Sequence, residues 1–160
     1  MEEKARKKFI DPQKALLKAQ KYCAYQERSQ QEVRDKLYAF GLHKKDVEHT
    51  ISELISYGFL KEERFALAFA GGKFRTKYWG RIKIKKALIQ KKVSEVLIRQ
   101  ALKSIDERAY RRALRKVIDD KTKKVVENNP LKKNYKVAQY AIGKGYEPEL
   151  VWEMMKDKME

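Results

Sequence analysis

Five apolar positions recur twice along this chain with almost unchanged spacing. The second set follows the first by 51 residues, and the third set follows the second by 53 residues. A spacing kept in register in this way is typical of helical repeat units, which bury a continuous core only by stacking on their neighbours. The sequence therefore predicts three similar units in series. The positions are Val33, Leu37, Leu42, Val47 and Ile51, then Ile84, Leu88, Val93, Ile98 and Leu102, then Val137, Ala141, Tyr146, Val151 and Met155.

Local signals divide each unit into helices joined by short turns. Asp11 before Pro12 is typical of a helix N-cap followed by proline at the first helical position. The segment 29–32 has the form of a capping box. Gly41 and Gly58 can supply the left-handed residue that ends a helix. The helices that lead the three units are predicted over about residues 13–27, 62–76 and 107–127, the last being broken by Asn128-Asn129-Pro130.

These patterns predict an all-α protein in which three tandem three-helix repeats, each similar to a helix-turn-helix, form an elongated, curved body. The predicted boundaries are a basic N-terminal tail over residues 1–10 and repeats over residues 11–58, 59–105 and 106–160.

Charge narrows the class of partner. Lys and Arg outnumber Asp and Glu, which gives a formal net charge of +17 over 160 residues. Such an excess attracts polyanions at long range, so we expect nucleic acid or an acidic protein groove as partner. Cys23 is the only cysteine, which excludes an internal disulfide and a thiolate zinc cluster. The N-terminus lacks the apolar stretch of a signal peptide and no apolar run reaches membrane-spanning length, so a cytoplasmic protein is expected.

Catalytic patterns are weak throughout the sequence. His43 and His49 stand six residues apart without a further ligand at metal spacing, which favours solvated surface. Glu62 and Glu63 are adjacent on a predicted helix and therefore point apart. The run Gly71-Gly72-Lys73 lacks the rest of a phosphate-binding loop. We expect no catalytic residue, no metal, no cofactor and no small-molecule substrate.

Two basic stretches are the candidate binding residues. The first crosses from the fourth helix into the fifth and mixes cations with aromatic rings, which suits phosphates and unstacked bases. Its alternative interpretation is that Tyr78 or Trp79 packs between units while the lysines only solvate a helix. The second lies on the seventh helix, which is predicted to be amphipathic with a basic face that continues through Lys121, Lys123 and Lys124. A membrane-surface role is disfavoured there because its own repeat needs the small apolar side. The candidates are Lys73, Arg75, Lys77, Tyr78, Trp79, Arg81, Lys83, Lys85 and Lys86, then Arg108, Arg111, Arg112, Arg115 and Lys116.

The residues that join the first two units resemble the RecX regulatory family. The resemblance rests on the run 58–66, Gly-Phe-Leu-Lys-Glu-Glu-Arg-Phe-Ala, on Trp79-Gly80-Arg81-Ile82, and on Leu88. It extends over about residues 13–157, through the sets Ser29, Val33, Lys36, Leu37 and Gly41, and Lys136, Val137, Lys144, Gly145 and Tyr146.

The chain also departs from the family pattern at three positions. Lys61 and Glu62 stand where the family usually has two aspartates, and Lys92 stands where it has a glycine. The resemblance therefore implies a weaker acidic contact in the linker and a differently built turn after the fifth helix.

What the resemblance implies is a regulator without enzymatic activity. RecX-like proteins bind along the groove of the RecA filament on single-stranded DNA, block its extension or promote its loss, and inhibit its ATPase and strand exchange. They thereby restrain recombination and the SOS response, as part of DNA repair. The expected partners are the RecA filament and single-stranded DNA, with duplex DNA bound non-specifically, by a monomer.

A stand-alone, non-specific DNA-binding protein is the alternative. Sequence-specific reading is disfavoured, because Glu95, Glu147 and Glu149 place acidic groups at the starts of the helices that would enter a groove.

Overall fold

The computed structural model describes residues 10–159, and this part of the chain contains nine helices and no strand. The predicted all-α class is thereby confirmed. The predicted basic tail lies outside the described residues, apart from Ile10. The helices are α1 Pro12–Tyr25, α2 Gln30–Ala39, α3 Lys44–Ser56, α4 Glu62–Lys77, α5 Arg81–Gln90, α6 Glu95–Lys103, α7 Glu107–Lys124, α8 Pro130–Gly143 and α9 Pro148–Met159.

The predicted caps of the first helices are present. The Asp11 carboxylate accepts a hydrogen bond from the Gln13 amide at 3.3 Å. Ser29 Oγ accepts from the Glu32 amide at 3.0 Å while the Glu32 carboxylate accepts from the Ser29 amide at 3.3 Å, which completes the capping box. Gly41 and Gly58 both have positive φ, 89° and 78°. Local sequence signals therefore set where these helices begin and end.

The end of the seventh helix differs from the prediction. Helix α7 ends at Lys124, and Val125 already has an extended backbone with φ −73° and ψ 121°. The Asn129 side chain accepts from the amides of Leu131 and Lys132, so it caps the start of α8, and Pro130 occupies the first position of that helix. The predicted break at residues 128–130 is therefore the N-terminus of α8. The connection from α7 leaves the helical conformation before this cap.

The described chain forms two compact units. The first comprises residues up to Ala66 together with Lys91–Val93, and the second comprises Leu67–Gln90 and the chain from Ser94 onward. In the first unit, α1, α2 and α3 pack on one another. In the second unit, α7 packs against α8 and α9, and α5 packs against α6. The predicted boundaries between three repeats stay a prediction.

The repeated apolar positions are core positions. Fourteen of the fifteen residues in the register are buried, and the remaining one, Leu102, is half-buried. Burial of these side chains is the main favourable term that holds short helices together.

The turn after α5 is built like its counterparts despite the lysine. Gly41 has φ 89°, Gly145 has φ 103°, and Lys92, at the equivalent position of the second set, has φ 60°. The expectation of a different turn was therefore wrong. The helix end requires a left-handed residue here, and lysine adopts that conformation at some cost in backbone energy.

Candidate nucleic-acid interface

Two adjacent grooves in the second unit bring the two predicted basic stretches together. Both are formed by the end of α4 and by α7, and α8 adds to one of them. They share Tyr78 and Lys116. The arginine groove, of about 300 Å³, is lined by Phe74, Arg75, Tyr78, Ala109, Arg112, Ala113 and Lys116. The lysine groove, of about 240 Å³, is lined by Tyr78, Lys116, Val117, Asp120, Lys121, Lys124, Tyr140 and Lys144.

Helix α7 supplies the wall that runs through both grooves. Its buried side consists of Tyr110, Ala113, Leu114, Val117 and Ile118. Positions four residues apart lie on one face of a helix, and this spacing places Arg112, Lys116, Asp120 and Lys124 in a row along the grooves. The predicted amphipathic character of this helix is confirmed, with charged residues beside the buried side.

Tyr78 lies where the two grooves meet. Its amide donates to the Phe74 carbonyl at 3.1 Å, and its φ of 56° is in the left-handed region that non-glycine residues rarely adopt. The Lys144 ammonium donates to the neighbouring Lys77 carbonyl at 3.0 Å, which ties this end of α4 to α8. These contacts fix the backbone at Tyr78, which is half-buried.

Trp79 has a different environment from its neighbour Tyr78. Lys73 Nζ lies 5.1 Å and Lys83 Nζ 4.6 Å from its ring centroid. The ring of Phe69 meets it in an edge-on arrangement at 6.4 Å. Cation–π and aromatic contacts of this kind stabilise packing. These contacts favour the interpretation that Trp79 serves packing. The ammonium groups of Lys73 and Lys83 lie against its ring.

Arg81 is held inside the second unit by two carboxylates and an aromatic ring. Its guanidinium lies 3.8 Å from the Tyr110 ring centroid and pairs with Glu147 at 2.6 Å and with Glu107. The Tyr110 hydroxyl donates to Glu147 and accepts from the Arg81 amide. Burial, and then the bond to Glu147, raise the pKa of Tyr110 well above its usual range. This network fixes α5, α7 and the start of α9 together, so it favours a structural role for Arg81.

The remaining candidates lie outside the grooves. Arg111 pairs with Glu107 at 3.3 Å. The other five are exposed on α4, α5 and α7, namely Lys77, Lys85, Lys86, Arg108 and Arg115.

The structure adds two residues that the sequence did not single out, Tyr140 and Lys144, and it places Lys121 and Lys124 of the basic seventh helix in the lysine groove. Lys124 shares the face of Lys116 two turns later, as helical spacing predicts. Tyr140 and Lys144 are one turn apart at the end of α8. The predicted repeat places α8 in the same unit as α7 but does not show which side chains face it.

Glu62, Arg64 and His49 of the first unit make contacts within that unit. The Glu62 carboxylate accepts from the Gln30 amide at 2.8 Å, and burial raises the pKa of Glu62. Arg64 pairs with Glu27 at 2.9 Å, and His49 lies 2.8 Å from Glu53. Within the described residues no group of three His, Cys, Asp or Glu side chains is arranged to hold a metal ion. No helix in the described range has the length and apolarity to span a membrane.

Comparison with known proteins gives the family. The family model described as "RecX, first three-helix domain" matches residues 15–54, and "RecX, second three-helix domain" matches residues 62–102. Together the two models cover half of the chain.

The chain belongs to the RecX family.

Two relatives agree with this assignment, and a solved structure has the same fold. The regulatory protein RecX of Clostridium tetani is 33% identical over 140 residues, which cover 86% of this chain and 62% of the relative. The regulatory protein RecX of Clostridium perfringens is 31% identical over 121 residues, covering 74% and 56%. The crystal structure of RecX from Lactobacillus salivarius superposes with a TM-score of 0.82 at 20% identity, covering 91% of this chain and 95% of that one.

RecX proteins are a family of regulatory proteins, and the predicted resemblance is confirmed. The chain spans about 60% of the length of the curated relatives that it matches.

Proposed function

We propose that this protein is a negative modulator of the RecA recombinase. It binds the RecA filament on single-stranded DNA and inhibits the ATPase, the extension and the strand exchange of that filament, thereby restraining recombination and the SOS response. The observation that carries this proposal is membership of the RecX family through two three-helix domains.

The charge of the chain supports a filament that contains DNA as the partner. A net charge of +17 favours association with a phosphate backbone. The arginine and lysine grooves concentrate cations on one part of the second unit. Several weak contacts on one chain raise the overall affinity when their spacing matches that of a repetitive partner. A filament of identical protomers is such a partner.

The further partners and the setting follow from the same proposal. The protein acts in the cytoplasm as a monomer, it binds duplex DNA only non-specifically, and it needs no cofactor. A stand-alone, non-specific DNA-binding protein is the second candidate, because the grooves lie within one unit and can bind a strand without RecA.

Strand exchange between circular single-stranded DNA and linear duplex DNA tests the proposal. RecA is incubated with this protein at increasing amounts, and an unrelated protein of comparable net charge is titrated in parallel at matched salt. Loss of joint molecules with this protein alone is expected. Equal loss with both proteins would contradict the proposal and favour the stand-alone DNA-binding protein, since it would show competition for DNA by charge.

A further inference from the structure

We propose that one end of the first unit is a docking surface for protein, and that its partner is a protein segment with an apolar side chain beside a carboxylate. The inference rests on the proposed function, because it takes this segment to belong to a RecA protomer. It assigns the first unit to the protein part of the filament and not to the DNA. The surface, called the tyrosine–arginine patch below, consists of Tyr25, Glu27, Arg28, Tyr57 and Arg64.

Arg64 joins the two chain segments that carry the tyrosines. Its Nε atom pairs with Glu27 at 2.9 Å, and its Nη2 atom donates to the Gly58 carbonyl at 2.9 Å. Glu27 follows the end of α1, and Gly58 follows the end of α3, so one guanidinium binds at both helix ends. Tyr25 is the last residue of α1 and Tyr57 precedes Gly58. The two tyrosines therefore lie at the same end of the first unit.

The two tyrosines of the patch are unusually exposed. Tyr25 is 83% and Tyr57 is 70% exposed, and these are the two most exposed aromatic residues in the described range 10–159. A tyrosine ring covers a large apolar area while only two side-chain dihedrals have to be fixed. Tyrosine and arginine are also enriched among the residues that dominate the binding energy of protein interfaces. Two such rings at one end of the unit indicate a contact surface.

Arg28 adds a cation that is held in place without being neutralised. Its Nε atom donates to the Tyr22 carbonyl at 3.0 Å, and its guanidinium lies 3.7 Å from the Tyr22 ring centroid and 5.9 Å from that of Tyr25. No carboxylate within residues 10–159 forms an ion pair with it. A guanidinium stacked on a ring can still bind a carboxylate through two parallel N–H groups. The patch is therefore complementary to an apolar side chain beside a carboxylate.

The charge of the surrounding chain disfavours a nucleic acid at this surface. Residues 10–66 contain ten Lys and Arg against nine Asp and Glu, whereas residues 67–160 contain 25 against 11. The patch itself includes Glu27, and the neighbouring Glu63 is exposed. A phosphate backbone is bound by several cations together, and carboxylates repel it. Attraction to DNA thus belongs to the second half of the chain, and a protein fits the patch better.

The test compares binding to RecA filaments with binding to bare DNA. The full chain is co-sedimented with filaments preformed on oligothymidylate with a non-hydrolysable ATP analogue, and fluorescence anisotropy measures its binding to labelled oligothymidylate without RecA. The ring variant is Tyr25→Ala with Tyr57→Ala. Its control is Val96→Ala with Tyr135→Ala, two exposed apolar side chains of the second unit. Urea denaturation checks that each variant is folded.

The ring variant should weaken filament binding about tenfold or more, because truncating an interface residue that dominates binding costs at least this much. Its control should bind filaments like the parent. Binding to bare oligothymidylate and the unfolding midpoint in urea should be unchanged in both, since the two tyrosines are exposed and lie outside the basic grooves.

A second pair of variants tests the carboxylate of the partner. Arg28→Gln removes the cation of the patch, and Lys44→Gln removes the same charge from an exposed position on α3. Arg28→Gln should weaken filament binding about tenfold, because a charge-assisted hydrogen bond to the partner is lost. Lys44→Gln should have no comparable effect, since it changes only the long-range attraction.

Three results would overturn the patch while the parent still binds filaments. The first is equal filament binding by the ring variant and its control. The second is a parallel loss of bare oligothymidylate binding, which would make DNA the ligand. The third is a dimer of the parent in analytical ultracentrifugation that the ring variant abolishes, which would make a second copy of this chain the occupant. A parent chain that does not bind filaments would instead contradict the proposed function, and the patch with it.

Discussion

At the scale of single residues, three equivalent turns each place one residue in the left-handed region of the backbone. Gly41 and Gly145 follow the usual preference for glycine at a left-handed position. Lys92 occupies the same position of the second set with φ 60°. The sequence could place the turn, because the apolar register around it is regular, but it could not show that lysine keeps the same conformation.

Replacing Lys92 with glycine should stabilise the protein. The change relieves about 1–2 kcal/mol of left-handed backbone strain and costs about 0.4–1 kcal/mol through the more flexible unfolded chain, so a net gain of about 0.5–1 kcal/mol in the free energy of unfolding is expected. Urea denaturation measures it. Lys85→Gly, at an exposed position inside α5, is the control and should lose about 0.5–1 kcal/mol. Equal losses for both variants would show that position 92 carries no strain.

At the scale of helices, the sequence predicts the elements well and their partners poorly. Caps such as the Ser29–Glu32 box act between near neighbours, so their residue types identify them. The grooves depend on Tyr78, just after α4, on Lys116 of α7 and on Tyr140 of α8. Only the fold shows that they meet, which is why Tyr140 and Lys144 were missing from the candidate set.

Close backbone contact joins α5 to the turn after α8. The Gly80 amide donates to the Lys144 carbonyl at 2.8 Å, and the Ile82 amide donates to the Gly145 carbonyl at 2.9 Å. A Cβ atom on Gly80 would overlap the backbone of Gly145, and one on Gly145 would overlap Lys83. Both glycines are needed because two backbones approach at this point. The repeat pattern aligns Gly145 with Gly41, the turn residue of the first unit, without showing this contact.

Gly80→Ala should therefore destabilise the second unit. Forcing a methyl group into this contact should lower the free energy of unfolding by about 1–3 kcal/mol. Gly72→Ala is the matched control, since a Cβ there meets no neighbouring atom and glycine inside a helix costs about 0.5–1 kcal/mol relative to alanine. Opposite shifts of the unfolding midpoint in urea are expected. An unchanged free energy of unfolding in Gly80→Ala would contradict the close approach of the backbones at Gly80 and Gly145.

At the scale of the whole molecule, three kinds of information contribute to the function. The net charge of +17 indicates a polyanionic partner without naming it. The RecX family models identify a regulatory family. The fold then separates Arg81 and Trp79, which make internal contacts, from Arg112 and Lys116, which line the grooves. From composition and spacing alone all four residues are binding candidates. Position in sequence does not show which side chains make internal contacts and which line a groove.

RecA-driven ATP hydrolysis on single-stranded DNA is the measurement to make first. This protein is titrated from below to above the RecA concentration, beside an unrelated basic protein at matched salt. Inhibition that begins well below one molecule per RecA protomer, and is absent with the basic control, is the expected result, since a modulator that blocks filament extension acts on many protomers at once. Undiminished hydrolysis with DNA binding intact, or equal inhibition by both proteins, would contradict the assignment as a RecA modulator.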